Sequence, residues 1–162
     1  MNSKGKLILF CGKMGAGKTT LSRSIASESN AVLISEDEWL SSHYPNQINS
    51  FEDYRSYSQL IKPFVKKHVQ SILTAGVDVV MDFPANTIRQ RKWLLSLCNE
   101  IGSDHELIYL NVSDEICLAQ IAKRSQEQPE RSQFDKPEVF YEVTKYFEAP
   151  SEKEGLNIIE RK

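Results

Sequence analysis

The chain has 162 residues, of which 40% are hydrophobic and 26% are charged, and its formal net charge is −2. This length predicts a single domain over residues 1–162 with its own hydrophobic core. The balanced charge gives no general attraction to nucleic acid, and no apolar run approaches the roughly 20 residues that span a membrane. The polar N-terminus does not resemble a signal peptide, and three isolated cysteines favour a reducing compartment, so we expect a cytoplasmic protein.

A glycine-rich segment directly after the first apolar run is the most informative stretch. Residues 6–11 are typical of a buried parallel strand, and residues 12–19 fit the phosphate-loop pattern G-x-x-x-x-G-K-[ST]. Glycines let the backbone wrap around a phosphate, and the helix predicted over 20–28 points free N–H groups at the same place. The segment predicts a nucleotide site with Lys18 on the β- and γ-phosphates and Thr19 on Mg²⁺. The residues predicted to contact the nucleotide are Gly12, Lys13, Met14, Gly15, Ala16, Gly17, Lys18, Thr19 and Thr20.

Strand-like and helix-like segments alternate along the rest of the chain. Strands are predicted over 6–11, 31–34, 77–83, 105–112 and 156–160. Helices are predicted over 20–28, 51–57, 60–75 and 87–101, from 113 onward, and over 137–147, with a polar loop over 125–136. This alternation predicts an α/β fold in which a largely parallel five-stranded sheet lies between two layers of helices.

Two patterns in residues 51–75 bear on a substrate site. Aromatic side chains recur at helical spacing over 51–57, which favours core packing for most of them and a pocket wall for one or two. The following helix begins near Leu60, so that Pro63 falls in its first turn, and its apolar face includes Phe64. Its other side is basic and is interpreted as a solvated face, a phosphate-attracting patch being the alternative. The basic residues are Lys62, Lys66, Lys67 and His68.

An aspartate closes the third predicted strand. Asp82 occupies the position of a Walker-B aspartate and is predicted to bind Mg²⁺ directly or through water, the alternative being a turn-capping carboxylate. Phe83 follows it where many ATP-hydrolysing motors carry Glu, which argues against a dedicated ATPase machine. Ligands of open α/β sheets bind at the carboxyl ends of strands, so Lys18, Asp37 and Asp82 are expected at one edge.

The acidic cluster after the second strand has two interpretations. Ser35-x-x-Glu38 is a capping-box pattern, which places Glu36 and Asp37 in the first turn of a helix, where the dipole favours any carboxylate. Alternatively, Asp37 is the general base that accepts a proton from an attacking hydroxyl, with Glu36 as the second candidate. The residues alone leave these interpretations nearly even.

Four arginines present a similar choice. Arg124 ends the helix after the fourth strand, Arg131 lies in the polar loop, and Arg89 and Arg91 follow Asp82. An arginine in any of these places can neutralise phosphate charge in the transition state or serve a helix structurally. A GTPase is not expected, since the Asn-Val-Ser-Asp sequence over 111–114 lacks the lysine of the guanine-reading N-K-x-D motif.

The ordered set of these motifs resembles the predicted P-loop kinases of the AAA_33 type, a group similar to polynucleotide 5′-kinases, zeta toxins and chloramphenicol phosphotransferases. The segments that carry the resemblance are 12–19, 35–39, 79–87 with Arg91, 110–115 with Arg124, and 140–159. The resemblance implies strand order 2-3-1-4-5, ATP and Mg²⁺ as ligands, and phosphoryl transfer to a hydroxyl. It also implies that Asp37 is the base and that Arg124 is a catalytic lid arginine that contacts the nucleotide, although the short lid over 125–136 holds only Arg131.

We therefore expect a small-molecule or nucleoside-type kinase with an unidentified hydroxyl-bearing acceptor. Two alternatives stay open, a nucleotide-binding regulator without an acceptor and a polynucleotide 5′-kinase. The latter needs a basic channel for a strand, which the balanced charge and the acidic, aromatic segment 51–57 disfavour. Neither nucleic acid nor a membrane is an expected partner.

Overall fold

The computed structural model describes residues 3–132 and 134–162. Within them, five strands form one parallel sheet in the order β2-β3-β1-β4-β5, which confirms the predicted fold class and strand order. The strands are β1 (Leu7–Cys11), β2 (Val32–Ser35), β3 (Val79–Asp82), β4 (His105–Leu110) and β5 (Ile158–Arg161). The helices are α1 (Lys18–Glu28), α2 (Glu36–His43), α3 (Phe51–Thr74), α4 (Ile88–Asn99), α5 (Asp114–Glu127) and α6 (Pro137–Thr144), with 3₁₀ turns at Pro129–Arg131 and Glu152–Glu154.

Helices cover both faces of the sheet, and the side chains of β1 alternate between them. Ile8 and Phe10 pack with α1, α5 and α6 on one face. Leu7 and Leu9 pack with α2, α3 and α4 on the other. Every residue of β1 is buried, because a central parallel strand under two helix layers has no solvent-facing side.

Helix α3 replaces the two helices predicted over 51–75. It runs unbroken over Phe51–Thr74, so the prediction that Pro63 lies in a first turn is wrong. One apolar face of α3 is buried, and this burial outweighs the hydrogen bond that proline cannot donate. The buried apolar residues of that face are Ile61, Val65, Val69 and Leu73. The inward prediction for Phe64 is also wrong, since its side chain is 64% exposed.

The carboxyl ends of β1, β2 and β3 meet at one edge of the sheet. The β2–β3 register pairs Ser35 with Asp82, so α2 begins beside the end of β3. Thr87 caps α4 in a reciprocal capping box with Gln90, which agrees with the predicted start of that helix. The loop predicted over 125–136 is partly helical, because α5 extends to Glu127 and a 3₁₀ turn follows. Among the described residues, none of the helices combines the length and apolar character that a membrane span requires.

Candidate active site

The loop between β1 and α1 has the backbone of a phosphate-binding loop. Gly15 and Gly17 have φ angles of +82° and +100°, which residues with a Cβ rarely adopt. A Cβ on Gly15 would also lie 2.6 Å from the carbonyl oxygen of Cys117 in α5. No side chain caps the N-terminus of α1, and its first N–H groups therefore remain available to an anion.

Asn86 supports this loop from the turn after β3. Its Oδ1 accepts a hydrogen bond from the Gly12 N–H at 3.0 Å, and its own N–H donates to Gln90 Oε1 at 2.8 Å. Its carbonyl accepts from the Glu148 N–H at 2.9 Å, which ties the same turn to the segment after α6. Sequence reasoning did not assign this role. The signal was an amide side chain in the Pro-Ala-Asn break that follows Phe83.

Lys18 stands at the start of α1 with its ammonium group over the loop. Its Nζ donates to the carbonyl of Gly12 and, at 3.0 Å, to the carbonyl of Lys13. Burial lowers the pKa of Lys18 to about 8, although the negative charge of Asp82 opposes this shift. No carboxylate of the described residues lies within ion-pair distance of it. A desolvated ammonium among loop carbonyls is suited to receive a phosphate group.

Asp82 lies against Thr19 and within electrostatic range of Asp37. Burial raises the pKa of Asp82, the Thr19 hydroxyl lowers it by hydrogen bonding, and the Asp37 charge raises it further. The predicted juxtaposition of Lys18, Asp37 and Asp82 at one edge is thus present. In the described part of the chain, no three metal-ligating side chains cluster. Thr19 and Asp82 together fit Mg²⁺, which keeps several waters and takes its remaining ligands from phosphate oxygens.

The two acidic residues at the start of α2 have different environments. Glu36 is buried, and its carboxylate accepts hydrogen bonds from the hydroxyl of Tyr54 and, at 2.8 Å, from that of Ser58. Burial raises the pKa of Glu36, against the effect of these two donors. Asp37 is exposed and faces the cleft. Ser35 caps the helix by accepting from the Glu38 N–H at 3.4 Å, as the capping pattern predicted.

A buried aspartate holds the two lid arginines together. Asp135 accepts from Arg124 Nε at 3.0 Å and Nη2 at 2.7 Å, and from Arg131 Nε at 3.1 Å. Burial alone would raise the pKa of Asp135, but the two guanidinium groups hold it below its usual range. Both arginines also line the cleft of the phosphate loop. Sequence reasoning identified the arginines separately and missed Asp135, which forms the cluster.

Arg91 has no access to this cleft. Its side chain is fully buried and makes a bidentate contact with Glu154, with Nε to Oε1 at 2.9 Å and Nη2 to Oε2 at 3.1 Å. Its Nη1 also donates to the carbonyl of Ala85 at 3.0 Å. Of the two arginines on α4, Arg91 is therefore structural, whereas Arg89 lines a cavity.

Two cavities meet at this edge of the sheet. The first, of about 650 Å³, contains the phosphate loop, Asp37, Asp82 and Arg124. The second, of about 560 Å³, lies between α3 and α4. Glu36, Phe51, Tyr54, Phe83 and Pro84 line both cavities. Phe51 and Tyr54, two of the three aromatic residues over 51–57, therefore form part of the pocket wall.

The sequence and fold were compared with known proteins. A family model described as AAA domain, AAA_33, matches residues 7–150. The chain belongs to the AAA_33 family. A comparison with curated protein sequences gave no significant match.

Solved structures of this AAA_33 protein's fold class include several kinases. A sugar kinase from a Janibacter species has a TM-score of 0.64 at 16% identity, with 97% of this chain and 84% of that chain covered. The APS kinase of Mycobacterium tuberculosis, in complex with AMPPNP and APS, has a TM-score of 0.61 at 16% identity, with coverage of 92% and 85%. A protein from Chloroflexus aurantiacus, named only as a candidate kinase, has a TM-score of 0.73 at 20% identity, with coverage of 98% and 85%. At these identities the likeness establishes the fold, which is that of P-loop kinases.

Proposed function

We propose that this AAA_33 protein is an ATP-dependent phosphotransferase that moves the γ-phosphoryl group of ATP to a hydroxyl of a small acceptor. One observation carries the proposal. The phosphate loop with Lys18, the Thr19–Asp82 pair and the exposed Asp37 all line one cavity, and that cavity borders a second one of comparable size. A donor site beside an acceptor site is the arrangement that phosphoryl transfer between two bound molecules requires.

The donor site is built from backbone N–H groups and one lysine. The loop over 12–17 and the uncapped start of α1 bind the phosphates, and Lys18 neutralises the β- and γ-phosphates. Thr19 and Asp82 would hold Mg²⁺, which supplies charge neutralisation on the phosphate oxygens when bound. Met14 and Thr20 line the same cavity. The Lys13 ammonium instead pairs with Asp114 at 2.7 Å, and the Ala16 side chain is buried, so these two residues would contact the nucleotide through their backbone.

Asp37 is assigned the role of general base. It is exposed toward the cleft, and no side chain of the described residues forms an ion pair with it. Both carboxylate oxygens of Glu36, by contrast, already accept hydrogen bonds. As the acceptor oxygen bonds to the γ-phosphorus, its proton passes to Asp37 and the bond from phosphorus to the ADP oxygen breaks. Arg124, held by Asp135, neutralises the negative charge of the transferring group.

Phe83 supports transfer to an acceptor over simple hydrolysis. Its side chain is only 4% exposed. It occupies the position after Asp82, where many ATP-hydrolysing motors carry a glutamate that activates water. It also lines both cavities, so it presents an apolar wall where a nucleophilic water would need a hydrogen-bond partner.

A transfer assay with matched variants tests the proposal. The protein is incubated with γ-labelled ATP, Mg²⁺ and a pool of hydroxyl-bearing metabolites, and labelled products are separated. Asp37→Asn is expected to reduce transfer about 100- to 10,000-fold, the range of a general base, with little change in ATP affinity. Glu38→Gln, on the adjacent exposed position of α2, is the matched control and should transfer normally.

Two results would contradict specific parts of this proposal. Full transfer by Asp37→Asn together with loss in Glu36→Gln would move the base to Glu36. Release of labelled phosphate alone, at a rate that no metabolite changes, would identify a hydrolase or switch instead of a kinase.

A further inference from the structure

The second cavity, which we call the α3–α4 cavity, has a composition that restricts what it can bind. It has a volume of about 560 Å³ and lies between α3 and α4, next to the phosphate-loop cavity. Its walls combine four aromatic rings with four basic side chains. The basic residues are Arg55, Lys62, Lys66 and Arg89, and the aromatic ones are Phe51, Tyr54, Phe83 and Trp93.

The positive charge of the α3–α4 cavity is largely uncompensated. Lys66 forms an ion pair with Glu100 and donates to Ser96 Oγ at 3.2 Å, so its charge is balanced outside the cavity. In residues 3–132 and 134–162, no carboxylate lies within 4.0 Å of the charged groups of the other three cations. Among the residues that the structure describes, Glu36 is the one carboxylate lining the cavity, and its oxygens accept hydrogen bonds from Tyr54 and Ser58.

Lys62 of α3 and Arg89 of α4 both line this cavity. The Lys62 ammonium lies 5.3 Å from the centroid of the Trp93 ring, on the cavity wall. Burial lowers the pKa of Lys62, the charge of Glu36 opposes this shift, and the charge of Arg89 lowers it further. Two cations within electrostatic range of each other in a partly desolvated cavity repel, and an anion bound between them relieves the repulsion.

Resting on the proposed function, we propose that the phosphoryl acceptor is a small anionic metabolite, one that carries a phosphate, sulfate or carboxylate group in addition to its reactive hydroxyl. Lys62 and Arg89 bind the anionic group, and Trp93 and Phe83 pack against the apolar part. The hydroxyl then lies at the border with the phosphate-loop cavity, which Glu36 lines. The basic side of α3, interpreted from sequence as a solvated face, is thus divided, because Lys62 lines the cavity and Lys67 does not.

A binding experiment tests the anion site independently of catalysis. Trp39→Phe leaves Trp93 as the sole tryptophan and as a fluorescence reporter beside Lys62. The phosphate loop is first saturated with AMPPNP and Mg²⁺, and sodium sulfate is then titrated against sodium chloride at equal ionic strength. We expect a saturable Trp93 signal with sulfate that weakens about tenfold or more in both Lys62→Met and Arg89→Met, the loss of one charge-assisted contact.

Lys67→Met is the matched control, since Lys67 is exposed on α3 outside both cavities. Its sulfate titration should equal that of the Trp39→Phe parent. Unchanged AMPPNP binding by each variant shows that it is folded. A sulfate signal that is absent, or that is equal in the Lys62, Arg89 and Lys67 variants, would overturn the anion site.

A transfer experiment then separates this inference from the proposed function. Labelled ATP is offered with matched pairs, namely ribose and ribose 5-phosphate, glycerol and glycerol 3-phosphate, and a nucleoside and its monophosphate. We expect label to be transferred to the anionic members. In Lys62→Met, the KM for these acceptors should be about tenfold or more higher, and the KM for ATP should be unchanged. If the neutral members are labelled and Lys62→Met does not change their labelling, the proposal of an anionic acceptor is wrong, while the proposed kinase function still holds.

Two further outcomes are decisive. Transfer to the 5′-hydroxyl of a single-stranded oligonucleotide, steeply weakened by salt, would replace the small anion with a nucleic-acid acceptor. Lys62-dependent sulfate binding without transfer to any acceptor would overturn the proposed function and, with it, the assignment of the bound anion as an acceptor.

Discussion

At the scale of the residue, the proposed nucleotide site would couple the protonation of Lys18 to phosphate binding. Its ammonium is desolvated among carbonyl groups, and burial lowers its pKa to about 8. A nearby phosphate favours the charged form and raises this pKa again. At pH values between these two pKa values, nucleotide binding is therefore expected to take up a proton.

This coupling predicts a pH dependence of ATP binding. Affinity should be constant below the Lys18 pKa of about 8 and should fall as the pH rises above it, because the lysine must then be protonated to bind. Calorimetry at pH 8.5 in two buffers of different ionisation enthalpy should measure net proton uptake in the wild type. Lys18→Arg keeps a permanent charge and should show no uptake from this position. Equal uptake in both proteins would contradict the assignment.

At the scale of the element, three charged side chains meet at the junction of α5 with the following 3₁₀ turn. Arg124 belongs to α5 and Arg131 to the turn Pro129–Arg131, and Asp135 lies under both. The carboxylate is completely buried, whereas its two partners are about one third exposed toward the cleft. We therefore propose that this segment acts as a short lid and that Asp135 holds it in place.

Asp135→Asn is predicted to loosen this lid. Loss of the charge-assisted hydrogen bonds should destabilise the segment by about 1.5–3 kcal/mol, increase amide hydrogen exchange over 128–136 and weaken ATP binding. The same loss should occur in the wild type as the pH falls through the lowered pKa of Asp135, since its contribution is complete only above the usual carboxylate pKa. Glu142→Gln, which removes an exposed i,i+3 ion pair with Lys145, is the control and should leave exchange unchanged. Unaltered exchange in Asp135→Asn would contradict the role.

On the scale of the whole molecule, one buried ion pair joins parts that are distant in sequence. Arg91 of α4 contacts Glu154, before β5, and the Ala85 carbonyl, after β3. Its guanidinium also lies 3.9 Å from the Sγ of Cys11 at the end of β1. Burial alone would raise the pKa of Glu154, but the hydrogen bonds from Arg91 and from the Ser151 N–H lower it below its usual range.

Breaking this pair should affect global stability. Glu154→Gln leaves the Arg91 charge buried without its partner, which is expected to lower the free energy of unfolding by about 3–5 kcal/mol in urea titrations. The double variant Arg91→Leu/Glu154→Leu should recover part of the loss, since no isolated charge remains buried. Glu106→Gln, which breaks a partly exposed pair with Lys6, is the control and should cost about 0–1 kcal/mol. A loss of less than 1 kcal/mol in Glu154→Gln would show that the pair does not support the fold.

The sequence by itself determined the phosphate loop and the layered α/β fold. The loop depends on local requirements, namely the left-handed backbone of Gly15 and Gly17 and the start of a helix at Lys18, and these are written in consecutive residues. The alternation of strands and helices restricts the topology to a parallel sheet, and the motif resemblance supplied the strand order that the structure has.

The tertiary structure alone decided what surrounds the loop. Asn86 supports Gly12 from 74 residues away, and Arg91 meets Glu154 across 63 residues, so neither contact leaves a local pattern. At Pro63 a local pattern was misleading. The proline predicted a helix boundary, but burial of one face of α3 keeps the helix continuous through it. That uninterrupted helix places Lys62 on the wall of the α3–α4 cavity, which Arg89 of α4 also lines. The phosphate loop is therefore largely local and was predictable, whereas the α3–α4 cavity exists only because the fold packs α3 against α4.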